Sequence, residues 1–316
     1  MTTAPQMPVI IGPTAGGKTA VAVSVARLFT EHGFPGEVVS ADSVQVYRSM
    51  DIGSAKPTAD EQAGVPHHLI DIIDPAEPFT VHDWLARAEA TINDIRARGG
   101  VPIVAGGTHL YIKALLDGLF AGPDPDPDLR ARLSALPLDI LRARLEKVDP
   151  QAATRIHPND LRRTVRALEV FELTGTPISG LQQQWDRKHP RRDDLRVFAL
   201  RWPHADINAR INRRVRAMID RGLVDEVRTI GPDLGVQARQ ALGYKQILDH
   251  FSGRITLGQA IEAIKIETRR LAKNQRTWLK RLARDQRFEW IDGDGSDPES
   301  VARNIAAACA TCRSSG

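Results

Sequence analysis

A glycine-rich octapeptide, Gly12-Pro13-Thr14-Ala15-Gly16-Gly17-Lys18-Thr19, lies between the apolar run Val9-Ile10-Ile11 and a stretch, Thr19 to Phe29, that is apolar at helical spacing. No other feature constrains the chain as much as this order of strand, glycine loop and helix. The octapeptide matches G-x-x-x-x-G-K-[ST], in which glycines let the backbone wrap an anion so that successive N–H groups face its oxygens. The helix that follows adds a partial positive charge at its N-terminus. Lys18 adds a full charge, and the Thr19 hydroxyl is suited to ligating Mg²⁺. A hydrolase or kinase built on such a loop usually carries a second apolar strand ending in an Mg²⁺-binding aspartate. Here the strand Val101–Ala105 runs into Gly106-Gly107, which weakens the NTPase reading and leaves a phosphate site.

The pattern around the loop predicts an α/β fold, a P-loop NTPase-like parallel sheet flanked by helices on both faces. Glu37–Ser40 reads as a second strand, ending in Asp42-Ser43 and expected beside the loop strand; His68–Asp71 reads as a third. A helix over about Val81–Arg98 stops at Gly99-Gly100. In such sheets ligands sit outside the C-terminal strand ends, so the loops leaving Gly12, Ser40 and Gly106 are expected to share one crevice. The prolines of Gly122–Pro127 predict a linker. From Asp128 to about Trp185 only helical periodicity appears, with Leu161, Val165, Leu168 and Phe171 on one face. These features predict an all-helical insertion over 122–195 within a core of 1–121 and 196–316. Arg196–Trp202 returns to a strand, long helices follow, and Phe288–Ile291 reads as the last strand.

Charge matters through its distribution. The 43 basic and 39 acidic residues leave a formal net charge of +4, but Arg269 to Arg287 holds eight basic residues and one acidic one, Asp285. Lys273, Arg276, Lys280, Arg284 and Arg287 share a helix face, with Leu271, Trp278 and Leu282 expected to anchor another. Such a stripe suits a nucleic-acid backbone or a solvated surface. Arg210, Arg213, Arg214 and Arg216 form a second cluster. Within it Arg214 falls at the edge of the apolar face made by Ile207, Ile211, Val215 and Met218, where a guanidinium wants a bound anion or a carboxylate partner. Asp42, at a strand end near the loop, suits a general base, a turn cap or a water-mediated Mg²⁺ contact. His67 and His68 point to opposite sides of extended chain and read as structural. Cys309 and Cys312 do not complete a zinc site and read as a frayed tail. Met1–Pro8 lacks a secretory pattern and no run approaches a membrane span, which predicts a cytosolic protein.

Several segments together resemble the bacterial tRNA dimethylallyltransferases. They are Gly12–Thr19, Ser40–Tyr47, Met50–Pro57, Pro66–Asp71, Gly106–Tyr111, Arg155–Asp160 with Arg166–Glu169, Gly243–Lys245 and Lys273–Trp278, in family order and across nearly the whole chain. Departures are small: Ser54 replaces a common threonine, Arg48 a lysine and Asn274 a basic residue. The resemblance implies transfer of a dimethylallyl group from dimethylallyl diphosphate to N6 of the adenosine 3′ of the anticodon, with Mg²⁺. It implies that Asp42 is the base, that Thr19 meets diphosphate and metal, and that Arg214 holds the departing diphosphate on the loop Gly12, Pro13, Thr14, Ala15, Gly16, Gly17 and Lys18. It further implies a grip on the tRNA anticodon stem-loop by Asp42, Ser43, Val44, Gln45 and Thr108. Further tRNA contacts are implied at Arg130, Arg162, Arg163, Thr164, Val165, Arg166, Gln240, Gly243, Tyr244 and Lys245. A monomer with no membrane contact is expected. A small-molecule kinase, an adenylate isopentenyltransferase and a non-enzymatic nucleic-acid binder are the competing readings.

Overall fold

A computed structural model describes residues 5–120, 122–182, 192, 194–283, 288–294 and 297–310. The chain forms two compact units, 1–113 with 193–316, and 114–192. The proline-rich stretch from residue 122 therefore falls inside the second unit.

In the first unit the strands are β1 (Met7–Ile11), β2 (Gly36–Ala41), β3 (His67–His68), β4 (Val101–Gly106), β5 (Leu195–Arg201) and β6 (Phe288–Asp292). They form one parallel sheet in the order β3-β2-β4-β1-β5-β6. β1 is buried at every position because α1 (Lys18–Glu31) and neighbouring helices cover it; near-continuous apolar strands are what a sheet covered on both faces needs. α2 (Ala59–Gln62) and α3 (Val81–Ala97) follow, each begun by a threonine capping box, at Thr58 and Thr80. α4 (His109–Asp117) begins after β4.

The sequence expectation for the sheet needs two corrections. β2 does not lie beside β1: β4 is inserted between them, with Val39 and Val9 both registered to Val104. Adjacency is set by crossover connections, to which a strand's own pattern is blind. The third strand is also shorter than expected. It ends after His68 because Leu69 and Asp71 take positive φ angles, 62° and 55°, and the chain turns to bond Gln45 and Val46 through its backbone.

The second unit packs the last part of α4 with α5 (Pro127–Ser134), α6 (Leu138–Val148), α7 (Pro150–Arg155), α8 (Leu161–Thr174) and α9 (Ile178–Leu181). Pro127 opens α5 at its first turn, where a missing N–H costs nothing. Leu129, Leu141, Leu145, Val165 and Leu168 form its core, whereas Leu161 is exposed. Into this core the fold buries Glu169. Its carboxylate accepts bonds from Arg130 (2.8 and 3.0 Å), Arg166 (2.5 Å) and the Asp126 amide (2.8 Å), the pairing a buried charge requires.

Back in the first unit, α10 (His204–Asp220), α11 (Leu223–Ile230), α12 (Tyr244–Phe251) and α13 (Leu257–Leu282) precede β6, and α14 (Pro298–Ala310) closes the chain. Ile207, Ile211, Val215 and Met218 are buried on α10, as their spacing predicted. On α13 the anchored face is Ala260, Ile264, Ala272, Gln275 and Leu279; Leu271 is exposed rather than anchoring. Lys273 and Lys280 are solvent-facing, and Arg284 and Arg287 lie outside the described residues. Cys309 is no frayed tail: it packs in the core against α1, and burial pushes its thiol up to about 12. Cys312 lies outside the described residues.

Candidate active site

The C-terminal ends of β1, β2 and β4 open onto one crevice of about 470 Å³ in the first unit. Its lining includes Thr14–Ala20, Asp42, Gln45, Ala105–Gly107, Arg213, Arg214 and Gln275. The convergence expected of the three loops is thus present. Gly12 and Pro13 do not line the crevice. A Cβ on Gly12 would stand 3.1 Å from the Leu200 side chain, so this glycine permits the loop strand to pack on β5. Pro13, with no N–H to offer an anion, accepts a bond from Lys18 Nζ through its carbonyl at 2.9 Å.

The loop is held in an anion-ready form from outside. Ala15 and Gly17 take positive φ angles (60° and 83°), and α1 starts at Gly17 with no capping side chain, leaving the amides of its first turn for a ligand. Arg210 donates to the Ala15 carbonyl (2.7 Å) while its guanidinium lies 4.4 Å over the Trp202 ring. Trp202 donates to the Gly16 carbonyl at 3.1 Å. Gln275, reaching from α13, accepts from the Thr14 amide (2.7 Å) and donates to the Gly107 carbonyl (3.0 Å), tying the loop to the turn after β4. Sequence reading placed Arg210 only in a basic cluster and missed Trp202 and Gln275. The available signal was a glutamine on the apolar stripe Ala272–Leu279, since a polar group on a buried face must have a partner.

The crevice concentrates positive charge out of water. Burial, assisted by the Arg214 charge and opposed by Asp42, lowers Lys18 to about 8. Arg214 is pushed below its ordinary value by burial, which Asp42 and Glu61 oppose. Two cations held close without enough anion describe a site that gains most when a multiply charged ligand enters. Nearby, His109 stacks on Trp278 at 4.3 Å and is lowered to about 4 by burial and the Lys18 charge, so it is neutral at physiological pH.

The Lys18 shift predicts a pH signature. The ammonium is the anion-binding form and a bound diphosphate raises its pKa. Affinity for a simple alkyl diphosphate should therefore be flat below about pH 8 and fall above it. Calorimetric titration across this range checks it, and Lys18→Arg, charged throughout, should abolish the break.

Asp42 lines the crevice. Its Oδ1 accepts from the amides of Val44 (2.9 Å) and Gln45 (3.4 Å), the turn cap that its position allowed. Thr108 Oγ1 accepts from the Ser43 amide (3.0 Å) and bonds the Ser43 hydroxyl (3.3 Å), bringing the loops after β2 and β4 together. Gln45 is braced by Ser40 and by the Ala55 carbonyl.

Among the residues implied to grip RNA, burial separates two groups. Arg162, Arg163, Gln240 and Lys245 are exposed. Thr164 and Val165 are buried in the core of the second unit, so their side chains cannot meet RNA. Arg130 and Arg166 spend their guanidiniums on Glu169. Tyr244 is wholly buried and donates to Glu226 at 2.6 Å. Glu226 also accepts from the amides of Asp51, Ile52 and Gly53 (3.0, 2.7 and 3.1 Å), which fixes a loop that lines the crevice through Ile52, Ala55 and Lys56. Gly243 is needed for its backbone, at φ 94°.

The chain matches the family model described as IPP transferase over residues 45–282 and the one described as isopentenyl transferase over 5–73. It is 46% identical over 301 residues to a tRNA dimethylallyltransferase of Syntrophobacter fumaroxidans, covering 90% of this chain and 84% of the relative. To one of Anaeromyxobacter dehalogenans it is 44% identical, covering 94% and 97%. Its fold is similar to the crystal structure of a tRNA isopentenylpyrophosphate transferase from Bacillus halodurans, with a TM-score of 0.69, 38% identity and coverage of 96% and 95%. It is also similar to a eukaryotic dimethylallyltransferase acting on tRNA, with a TM-score of 0.81, 29% identity and coverage of 96% and 78%. A phosphate loop with no carboxylate at the end of β4, and matches that run the length of the chain, place this protein in the IPP transferase family.

Proposed function

We propose that the protein transfers the dimethylallyl group of dimethylallyl diphosphate to N6 of adenosine 37, just 3′ of the tRNA anticodon, and releases diphosphate. The observation that carries this reading is the crevice itself: the loop Thr14–Thr19 with Lys18, Arg214 and Asp42 line one space, with glycine where an NTPase would place its Mg²⁺-binding carboxylate.

In the reaction a bond forms between N6 and the terminal allylic carbon as that carbon's bond to the diphosphate oxygen breaks. Electrons leave with the diphosphate and the N6 proton passes to Asp42. Negative charge grows on the leaving oxygens, where the loop amides, Lys18 and Arg214 are already oriented; donors fixed in advance and shielded from water act most strongly. Adenine's exocyclic amine is a weak nucleophile, so removal of its proton accompanies attack. The donor set suits Mg²⁺: it is a hard ion that takes one or two protein oxygens and fills the rest of its shell with phosphate and water. The Thr19 hydroxyl would hold it, and when bound it would neutralise charge on the diphosphate.

A base in a stacked loop must be turned out to be reached, and Ser43, Val44, Gln45 and Thr108, on the loops after β2 and β4, would hold it. Arg162, Arg163, Gln240 and Lys245 would meet the RNA backbone. Lys273 and Lys280 add exposed charge on α13. All reacting groups come from one chain, and we read the enzyme as a monomer acting where tRNA resides, in the cytosol. No helix among the described residues is long and apolar enough to cross a membrane.

The test offers labelled dimethylallyl diphosphate and Mg²⁺ with anticodon stem-loop RNA or free AMP. Label on the RNA alone is expected. Label on AMP alone reassigns the acceptor, and label on neither by folded protein removes the reading.

A further inference from the structure

Six cations and two carboxylates line the crevice, and four of the cations already have a task. Lys18 and Arg214 are the pair assigned to the diphosphate. Lys56 is bonded to the carboxylates of Asp51 and Asp71. Arg210 is spent on the Ala15 carbonyl and the Trp202 ring. The two left over are Arg213 on α10 and Arg221, which caps the C-terminus of that helix. Both are exposed, and among the described residues neither side chain has an ion pair or a hydrogen bond. The carboxylates do not cancel them: Asp42 caps its own turn, and Glu61 accepts from the Thr58 amide at 2.9 Å. At 100° per residue, Arg210, Arg214 and Arg221 fall within about 40° of one another around the helix, with Arg213 about 60° to one side. Arg221 stands about 10 Å along the axis from Arg214. The row of guanidiniums therefore runs from solvent-facing positions to the phosphate loop.

We infer that Arg213 and Arg221 capture the donor's diphosphate from solution and pass it along α10 to Lys18 and Arg214. They are a second set of anion contacts, serving entry and not the reaction. The inference rests on the prenyl-transfer reading above and adds the route by which the donor reaches the loop. The division of labour follows from hydration. Buried cations, already stripped of water, hold an anion firmly once it arrives. Exposed ones keep their water and act at a distance, over roughly 10 Å at 0.1 M salt. A cleft lined by one sign of charge focuses that field and raises arrival rates. An RNA backbone is the other polyanion that exposed arginines attract. The crevice favours the donor, because Arg162, Arg163, Gln240 and Lys245, proposed above for the RNA backbone, are not among its described lining residues. Arg216 supplies an internal comparison. It is exposed on the same helix, but it does not line the crevice, and its charge bears on Glu262 of α13.

The experiment measures kcat and kcat/KM for dimethylallyl diphosphate, at saturating stem-loop RNA, in the wild type, Arg213→Gln/Arg221→Gln and Arg216→Gln. Ionic strength is varied from about 20 to about 500 mM, which shortens the screening length from roughly 20 Å to roughly 4 Å. In the double variant kcat/KM should fall about tenfold at the low end, the lower part of the range that steering spans. The deficit should shrink below about twofold at the high end, with kcat unchanged throughout. Arg216→Gln, which removes charge from the same helix, should match the wild type. Calorimetry with inorganic diphosphate should show the same salt-dependent loss of affinity in the double variant. Thermal melting confirms folding, since Arg221 also suits the negative end of α10; if the double variant does not fold, Arg213→Gln alone carries the test with about a threefold effect. An equal loss in Arg216→Gln reduces the effect to net charge and overturns the proposal. So does a loss that survives high salt, or weakened RNA binding with donor kcat/KM unchanged, which would give these arginines to the RNA. No prenyl transfer by folded wild type removes the functional reading, and the diphosphate titration then decides anion capture on its own.

Discussion

Asp42→Asn is expected to lower single-turnover prenyl transfer about a thousandfold, within the range lost with a general base, while RNA affinity changes less than about twofold. At about 1.4 kcal/mol per factor of ten, this is roughly 4 kcal/mol of transition-state stabilisation. Asparagine is the informative replacement because Asp42 Oδ1 also caps the amides of Val44 and Gln45. An amide oxygen keeps those bonds and cannot take the proton. Asp42→Ala removes both functions and should add a loss of RNA affinity, as the turn carrying Ser43, Val44 and Gln45 loosens. Rapid-quench rates and filter binding on the same stem-loop separate the two effects. A wild-type rate in the asparagine variant would take the base from Asp42 and leave it as a cap.

Arg214→Gln should reduce turnover by about 10²–10³, the scale of losing one preorganised donor to developing negative charge. The variant should also weaken inhibition by diphosphate, with stem-loop binding unchanged. Arg214→Lys should recover only part of the loss, since an ammonium cannot reproduce a planar two-pronged grip on a phosphate. The arginine also lowers the Lys18 pKa through charge repulsion, so in Arg214→Gln the pH break near 8 should move upward. Full turnover in Arg214→Gln, or a break that stays in place, would contradict the shared-anion picture.

The residues recognised from sequence alone are those whose chemistry is written in local order. Gly12–Thr19 needs only its own glycines and the flanking strand and helix to declare a phosphate site. The place of Arg214 at the edge of a buried face is set by its angle to Ile207, Ile211, Val215 and Met218, because helical periodicity fixes that angle before any tertiary contact forms; the angle suits a carboxylate partner as well as an anion. The same periodicity failed on α13 at Leu271, which looks like an anchor and is exposed, whereas Trp278 is half-buried against His109. A helix bears on its neighbours along whichever stripe they meet, and here that stripe is Ala272, Gln275 and Leu279.

Long-range partnership was hidden because nothing local encodes it. That Arg130 and Arg166 close on Glu169 depends on α8 and the Asp126 turn being brought together. That Tyr244 goes to Glu226, and not to RNA, depends on α11 lying under the loop at Asp51–Gly53. In each case the pairing satisfies buried polar groups that would otherwise be costly, a requirement that arises only once packing has excluded water. The strand, loop and helix at the N-terminus, the alternating core and the helical insert follow from hydrophobic period and backbone freedom, which are properties of neighbouring residues. Placement of β4 between β1 and β2 and the Gln275 bridge follow from chain crossings and shared burial, and these exist only when distant segments occupy the same space.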